Sequence, residues 1–170
     1  MLRLYVLRHA KSSWAEPGQR DFDRPLNGRG GNALVAIRNI IETQNWQPCR
    51  IFCSPTARTR QTLTGIQEAF HKSPIIVFEP ILYSGDASAY LHCLSGVEGG
   101  DPAMLIGHNP MCEEFCEWLA GGGNAAAVQG MRTKFPTGAL AVFDIDKANW
   151  KSLSAGSGRL VDFVTPRELD

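Results

Sequence analysis

Four side chains in this 170-residue sequence have the chemistry of an anion site: Arg8, His9, Arg58 and His108. A neutral imidazole offers a lone pair at neutral pH. A guanidinium presents a planar fork of donors that suits phosphoryl oxygens. Cations beside an imidazole disfavour its protonation and keep the lone pair available. Taken singly, each residue has an ordinary reading, arginine as a solvated surface charge and histidine as a satisfied polar group. Their places in the chain change that. The apolar run Leu4-Tyr5-Val6-Leu7 stops at Arg8-His9, and Ala103-Met104-Leu105-Ile106-Gly107 stops at His108. Arg50-Ile51-Phe52-Cys53 leads through Ser54-Pro55 to Arg58. Gathering four such groups without hydrogen bonds or an anion would be costly. Phosphate is the anion that the set suggests.

The elements that must position these groups follow from periodicity. Strands are expected at 2–7, 50–53, 75–78, 103–107, 140–145 and 160–164. The runs at 4–7, 75–78 and 103–106 are continuously apolar, as strands buried on both faces should be. A helix over about 28–44, capped by Asn27, carries Leu34, Ile37 and Ile41 at helical spacing. A second follows Ser54-Pro55, a capping hydroxyl and a first-position proline, with Leu63, Ile66 and Phe70 buried. Asp86 is expected to cap a third, which turns Tyr90, Leu91 and Leu94 inward and ends at Gly99-Gly100. Asn109-Pro110 opens a fourth, which buries Cys112, Phe115, Cys116 and Leu119 and stops at Gly121-Gly122-Gly123. A short helix is expected at 125–129, and loops at 10–26 and 79–84. The alternation predicts a three-layer α/β/α sandwich with a mostly parallel central sheet and an antiparallel edge made by the last two strands. Ligands of such sheets bind outside the carboxyl ends of the strands. Arg8, His9, Arg58 and His108 then share one edge, beside helix N-termini whose N–H groups favour anions.

Length and composition suit one domain over 1–170. Zero net charge gives no global field to recruit nucleic acid or an anionic membrane, and neither is expected as a partner. No apolar run approaches the roughly 20 residues that span a bilayer. Residues 1–9 read as a first strand, not a leader. The five cysteines are an odd set without a disulfide pattern, which suits a reducing, cytoplasmic setting. Cys112 and Cys116, four apart in a helical pattern, read as small buried hydrophobes in preference to a metal or redox pair. Gly28-Arg29-Gly30-Gly31 follows a loop instead of a strand and fits no dinucleotide fingerprint, so no cofactor is expected. The histidines and acids make no metal set at a recognised spacing, and a cationic site repels a metal. Trp14 and Phe22 either meet a substrate or anchor the long loop, and Lys11 reads as solvated.

Three ordered blocks carry a family resemblance. Leu7-Arg8-His9-Ala10 resembles the Arg-His-Gly signature of the histidine phosphatase superfamily, with Ala10 in place of glycine. Ser54-Pro55-Thr56-Ala57-Arg58-Thr59-Arg60-Gln61-Thr62 resembles its second block, and Ile106-Gly107-His108-Asn109-Pro110 its third. The short chain, Arg24-Pro25-Leu26-Asn27 with Gly30, and Leu82-Tyr83 are similar to the SixA branch, the phosphohistidine phosphatases. The resemblance spans nearly the whole chain, including Phe135-Pro136-Thr137-Gly138. The resemblance implies a phosphoglycerate mutase-like fold and a single histidine phosphatase domain. It implies His9 as the nucleophile, Arg8 and Arg58 as clamps on the phosphoryl oxygens, His108 as a further phosphate ligand and Arg24 as an additional basic position. The implied activity is that of a metal-independent phosphatase with a phosphohistidine enzyme intermediate, acting on phosphohistidine of a partner protein. A phosphatase of small phosphomonoesters is the enzymatic alternative, and a non-catalytic phosphoprotein-binding module the other. In the wider superfamily a carboxyl group protonates the leaving oxygen. Glu79, just after the third strand, is the positional candidate, and Asp86 a second with a competing role as a cap. An imidazole leaving group relaxes the need for such an acid.

Overall fold

The strands form where apolar side chains can be buried alternately on two faces of a sheet. On β1 (Leu2–Arg8), Leu2, Leu4 and Val6 enter one core, while Tyr5 and Leu7 enter another. The same alternation holds on β4 (Ala103–Gly107), where Ala103 and Leu105 oppose Met104 and Ile106. In the computed structural model, which describes residues 1–14 and 16–169, these strands belong to one seven-stranded sheet with helices on both faces. Ala15, inside the expected 10–26 loop, and Asp170 lie outside the described residues.

The strand order is β3-β2-β4-β1-β6-β7-β5, with β2 at Arg50–Cys53, β3 at Ile75–Phe78, β5 at Ala120–Gly123, β6 at Leu140–Ile145 and β7 at Gly158–Val164. β1, β2, β3 and β4 run parallel, and β6 is antiparallel to both β1 and β7. The antiparallel pairing of the last two strands is as expected. It lies one place in from the margin, because β5 adds itself outside β7. Helices α1 (Gly28–Thr43) and α2 (Ala57–Ile66) cover one face through Leu34, Ile37, Ile41, Leu63 and Ile66. The other face carries α4 (Ser88–Ser95), α5 (Met111–Leu119) and α6 (Ala125–Thr133), with Tyr90, Leu94, Phe115, Leu119 and Met131 inward.

Several local expectations are corrected. Gly121-Gly122-Gly123 does not merely end α5 but forms most of β5. Gly123 has φ +140, and a Cβ there would run into the backbone of Leu160, so only glycine lets this strand approach β7. β3 is a sheet edge, with Ile75 57% and Phe78 40% exposed, and is not buried on both faces. The 79–84 loop contains a one-turn helix, α3 (Ile81–Ser84). α4 ends at Ser95, before Gly99, and α6 runs past 129 to Thr133. The helices after Ser54-Pro55 and Asn109-Pro110 begin later than expected, at Ala57 and Met111. Thr56 caps the first by accepting from the Thr59 N–H. Ser54 and Asn109 are diverted to other partners.

Candidate active site

Strand register brings the four expected residues to one edge. Arg8 pairs with Gly107 across β1 and β4, so His9 and His108 emerge side by side. Cys53 pairs with Ile106, which puts Ser54 beside Gly107 and starts α2 at the same edge. Backbone hydrogen bonds from His9 N to Gly107 O (3.0 Å) and from Ser54 N to Ile106 O (3.0 Å) extend the ladder to the site. The rings of His9 and His108 lie 5.3 Å apart between centroids.

His9 is buried, and its Nδ1–H donates to the carbonyl of Ala10 at 2.7 Å. That bond fixes the tautomer and leaves the lone pair on Nε2. Burial is the largest influence on its pKa. The Ala10 carbonyl opposes it, and the charges of Arg58, Arg8 and Arg24 reinforce it, bringing the pKa to about 4. His108 is brought to about 3, by burial first and then by His9 and Arg58. Its Nε2 lies 2.8 Å from Ser54 Oγ, which explains why that hydroxyl does not cap α2. Tyr90 holds the backbone of His108, accepting from its N–H at 3.0 Å and donating to its carbonyl at 3.3 Å. The tyrosine comes this close because residue 107 is glycine, since a Cβ there would collide with the Tyr90 hydroxyl.

The arginines are fixed through their outer nitrogens. Arg8 Nη1 donates to Phe135 O at 2.9 Å, and Asn109 Nδ2 donates to the same carbonyl at 3.0 Å, the partner that takes Asn109 away from capping. Arg58 Nη1 and Nη2 donate to the backbone carbonyl and to Oδ2 of Asp21, at 2.8 and 3.0 Å. The Nε of Arg8, the Nε of Arg58 and Nδ1 of His108 are buried and make no hydrogen bond among the described residues. Three buried polar groups on three converging side chains are what a tetrahedral oxyanion would satisfy. The α2 N-terminal turn is tied to β1 by Thr62, whose hydroxyl accepts from Ala10 N at 3.0 Å and donates to Arg58 O at 2.7 Å.

Asp21 is the site residue that sequence reasoning missed. It sits in a single 3-10 turn at Asp21–Asp23 and gathers donors from three segments. Its Oδ2 accepts from Arg58 and from the Tyr83 hydroxyl (2.9 Å), and its Oδ1 from Arg24 Nη1 (2.9 Å). Partial burial works to raise its pKa, but the hydrogen bonds from Tyr83 and Arg58 prevail and hold the carboxyl below its ordinary value. Tyr83 also meets His108 and Phe22 edge-on, at 5.5 and 5.4 Å. Phe22 thus anchors the long loop, whereas Trp14 is 90% exposed. Arg24 reaches the margin of the site. Its other nitrogens donate to Ser13 O and Ser12 Oγ, so it fastens the loop while lending its charge to His9.

Neither expected acid joins this set. Glu79 N bonds to Cys53 O at the end of β3, three strands from β1, a lateral span of roughly 14 Å. Its carboxylate makes no hydrogen bond or ion pair among the described residues. Its charge acts instead on Cys93, whose thiol is pushed up to about 12 by burial and then by Glu79. Asp86 is exposed and accepts from the Ser88 N–H and hydroxyl in a local turn. The N-cap of α4 is Ala87, one residue later than the cap expected.

Several known proteins are similar to this chain. A family model described as histidine phosphatase superfamily (branch 1) matches residues 4–80. A crystal structure of the proposed phosphohistidine phosphatase SixA from Agrobacterium tumefaciens is 34% identical, with a TM-score of 0.80, covering 97% of this chain and 99% of that one. An uncharacterized protein of Mycobacterium tuberculosis is 30% identical over 172 residues, covering 95% of this chain and all of the relative. An uncharacterized chloroplastic protein of Arabidopsis thaliana is 34% identical over 130 residues, a match to 70% of this chain that spans only 59% of the plant protein. The architecture is the phosphoglycerate mutase-like α/β sandwich.

Proposed function

The chain belongs to the histidine phosphatase superfamily, and on that premise we propose that it is a metal-independent phosphatase that removes phosphoryl groups from phosphohistidine on a partner protein. The observation that carries this reading is the fixed tautomer of His9. With Nδ1–H committed to Ala10 and the pKa held near 4, Nε2 is an unprotonated nucleophile at neutral pH. In the first step Nε2 attacks phosphorus, and the bond from phosphorus to the substrate nitrogen breaks. The departing imidazole takes up a proton from solvent water. Charge on the equatorial oxygens is stabilised by Arg8, Arg58 and His108. In the second step water attacks the phosphorylated His9, frees its Nε2 and releases inorganic phosphate.

The state of the carboxylate at the site supports this choice of substrate. Asp21, held by Arg58, Arg24 and Tyr83, stays ionised and is poor as a general acid. A substrate whose imidazole leaves more easily than an alkoxide suits such a site better than an alkyl phosphomonoester does. The test compares turnover of a phosphohistidine-bearing protein with that of sugar phosphates, in the presence of a chelator. The reading requires preference for the phosphohistidine protein, undiminished by chelation. It also requires Glu79→Gln to retain phosphohistidine turnover within about threefold, far from the roughly 100-fold or larger loss of a working acid. Equal or better turnover of sugar phosphates would overturn the substrate assignment.

A further inference from the structure

Beside the phosphate-binding residues lies a cavity of about 670 Å³ that the chemistry above does not use. Its lining includes Lys11, Arg29, Lys134 and Arg167, with Pro136 and Thr137 between them. All four cations are exposed, and none makes an ion pair among the described residues. No carboxylate lines the cavity among the described residues, in a chain with 17 basic and 17 acidic side chains. The nearby Glu168 is engaged with the Thr165 N–H.

The cavity is built from segments that also build the site. Lys11 is two residues beyond His9, at most about 7 Å along the chain. The first turn of α1, with Arg29, packs on the backbone of Lys11, where Gly30 leaves no room for a Cβ. Lys134 and Pro136 flank Phe135, whose carbonyl holds Arg8, and Gly138 N donates to His9 O at 2.9 Å. A ligand with its phosphoryl group at His9 and an anionic extension is therefore within reach of these cations.

We propose that this basic groove docks an acidic segment of the substrate protein, next to the phosphohistidine that is cleaved. The proposal rests on the phosphohistidine phosphatase reading and adds the charge of the partner. A compact polyanion is chelated best by buried, fixed donors. Exposed cations on long stems around an open cavity suit the diffuse attraction of an acidic protein surface.

Two phosphohistidine peptides test it, alike except that four flanking residues are glutamate in one and glutamine in the other. Inorganic phosphoramidate reports chemistry without docking. For wild type, kcat/KM should favour the glutamate peptide by about tenfold at low salt, through KM. The preference should shrink to about twofold in 0.5 M salt and in Lys11→Gln/Arg29→Gln/Lys134→Gln, with phosphoramidate turnover unchanged. Labelled hexaglutamate should bind wild type saturably and the triple variant at least tenfold more weakly. This arm decides the groove even without turnover, so docking and catalysis fail separately. Equal kcat/KM for the two peptides, or hexaglutamate binding that survives the triple substitution, would overturn the proposal. So would tighter binding of tripolyphosphate than of hexaglutamate, which would assign the groove to a small polyanion.

Discussion

At the scale of single residues, the account turns on two imidazoles kept neutral by burial and by neighbouring cations. NMR titration should find His9 and His108 uncharged from pH 7.5 to 5, with protonation only as the pH nears about 4 and about 3. Midpoints near 6.5 would contradict it. The consequence for stability has a definite sign. Both folded values lie below the unfolded one, so in that window the unfolded chain binds more protons. Stability is therefore full above about 6.5 and falls as the pH drops towards 4 and 3. Urea unfolding at pH 7 and pH 5 should give the lower midpoint at pH 5, with a smaller difference in His9→Gln. Arg8, His9, Arg58 and His108 were legible in the sequence because each ends or follows an apolar run. Asp21 was not. It sits in a charged, aperiodic loop, and its partners Arg58 and Tyr83 are 37 and 62 residues away in sequence.

At the scale of elements, the strands were legible from their apolar runs, and the helices from 3- and 4-residue spacing. The misread helix starts have a physical cause. Ser54 and Asn109 have ideal capping side chains, but the site takes both, one for His108 and the other for Phe135 O. β5 was unreadable because its glycines carry no apolar alternation, and its pairing depends on backbone approach alone. α4 supports the candidate site through Tyr90, whose hydroxyl holds the backbone of His108 and which no motif signalled. Tyr90→Phe should leave the His108 N–H buried and unpaired, costing about 1–3 kcal/mol in denaturant unfolding and lowering turnover by loosening His108. An unchanged unfolding midpoint would show that the hydroxyl bears no part of this load.

At the scale of the whole molecule, a neutral chain concentrates positive charge at one sheet edge, where buried donors on Arg8, Arg58 and His108 converge. The parallel half of the sheet produces that concentration, since it aims three strand ends the same way. Binding of inorganic phosphate or tungstate should therefore stabilise the fold. At ten times the dissociation constant the gain is about 1.4 kcal/mol, or roughly 3–6 °C in Tm. Arg58→Ala should lose most of that shift, and an equal shift in the variant would place the anion elsewhere. The central claim, covalent transfer to His9, is tested most directly by denaturing quench of the enzyme during turnover of a radiolabelled phosphohistidine substrate. The account predicts acid-labile, base-stable phosphate that maps to His9 in wild type and is missing from His9→Ala. Turnover without covalent phosphate, or label on another residue, would contradict it.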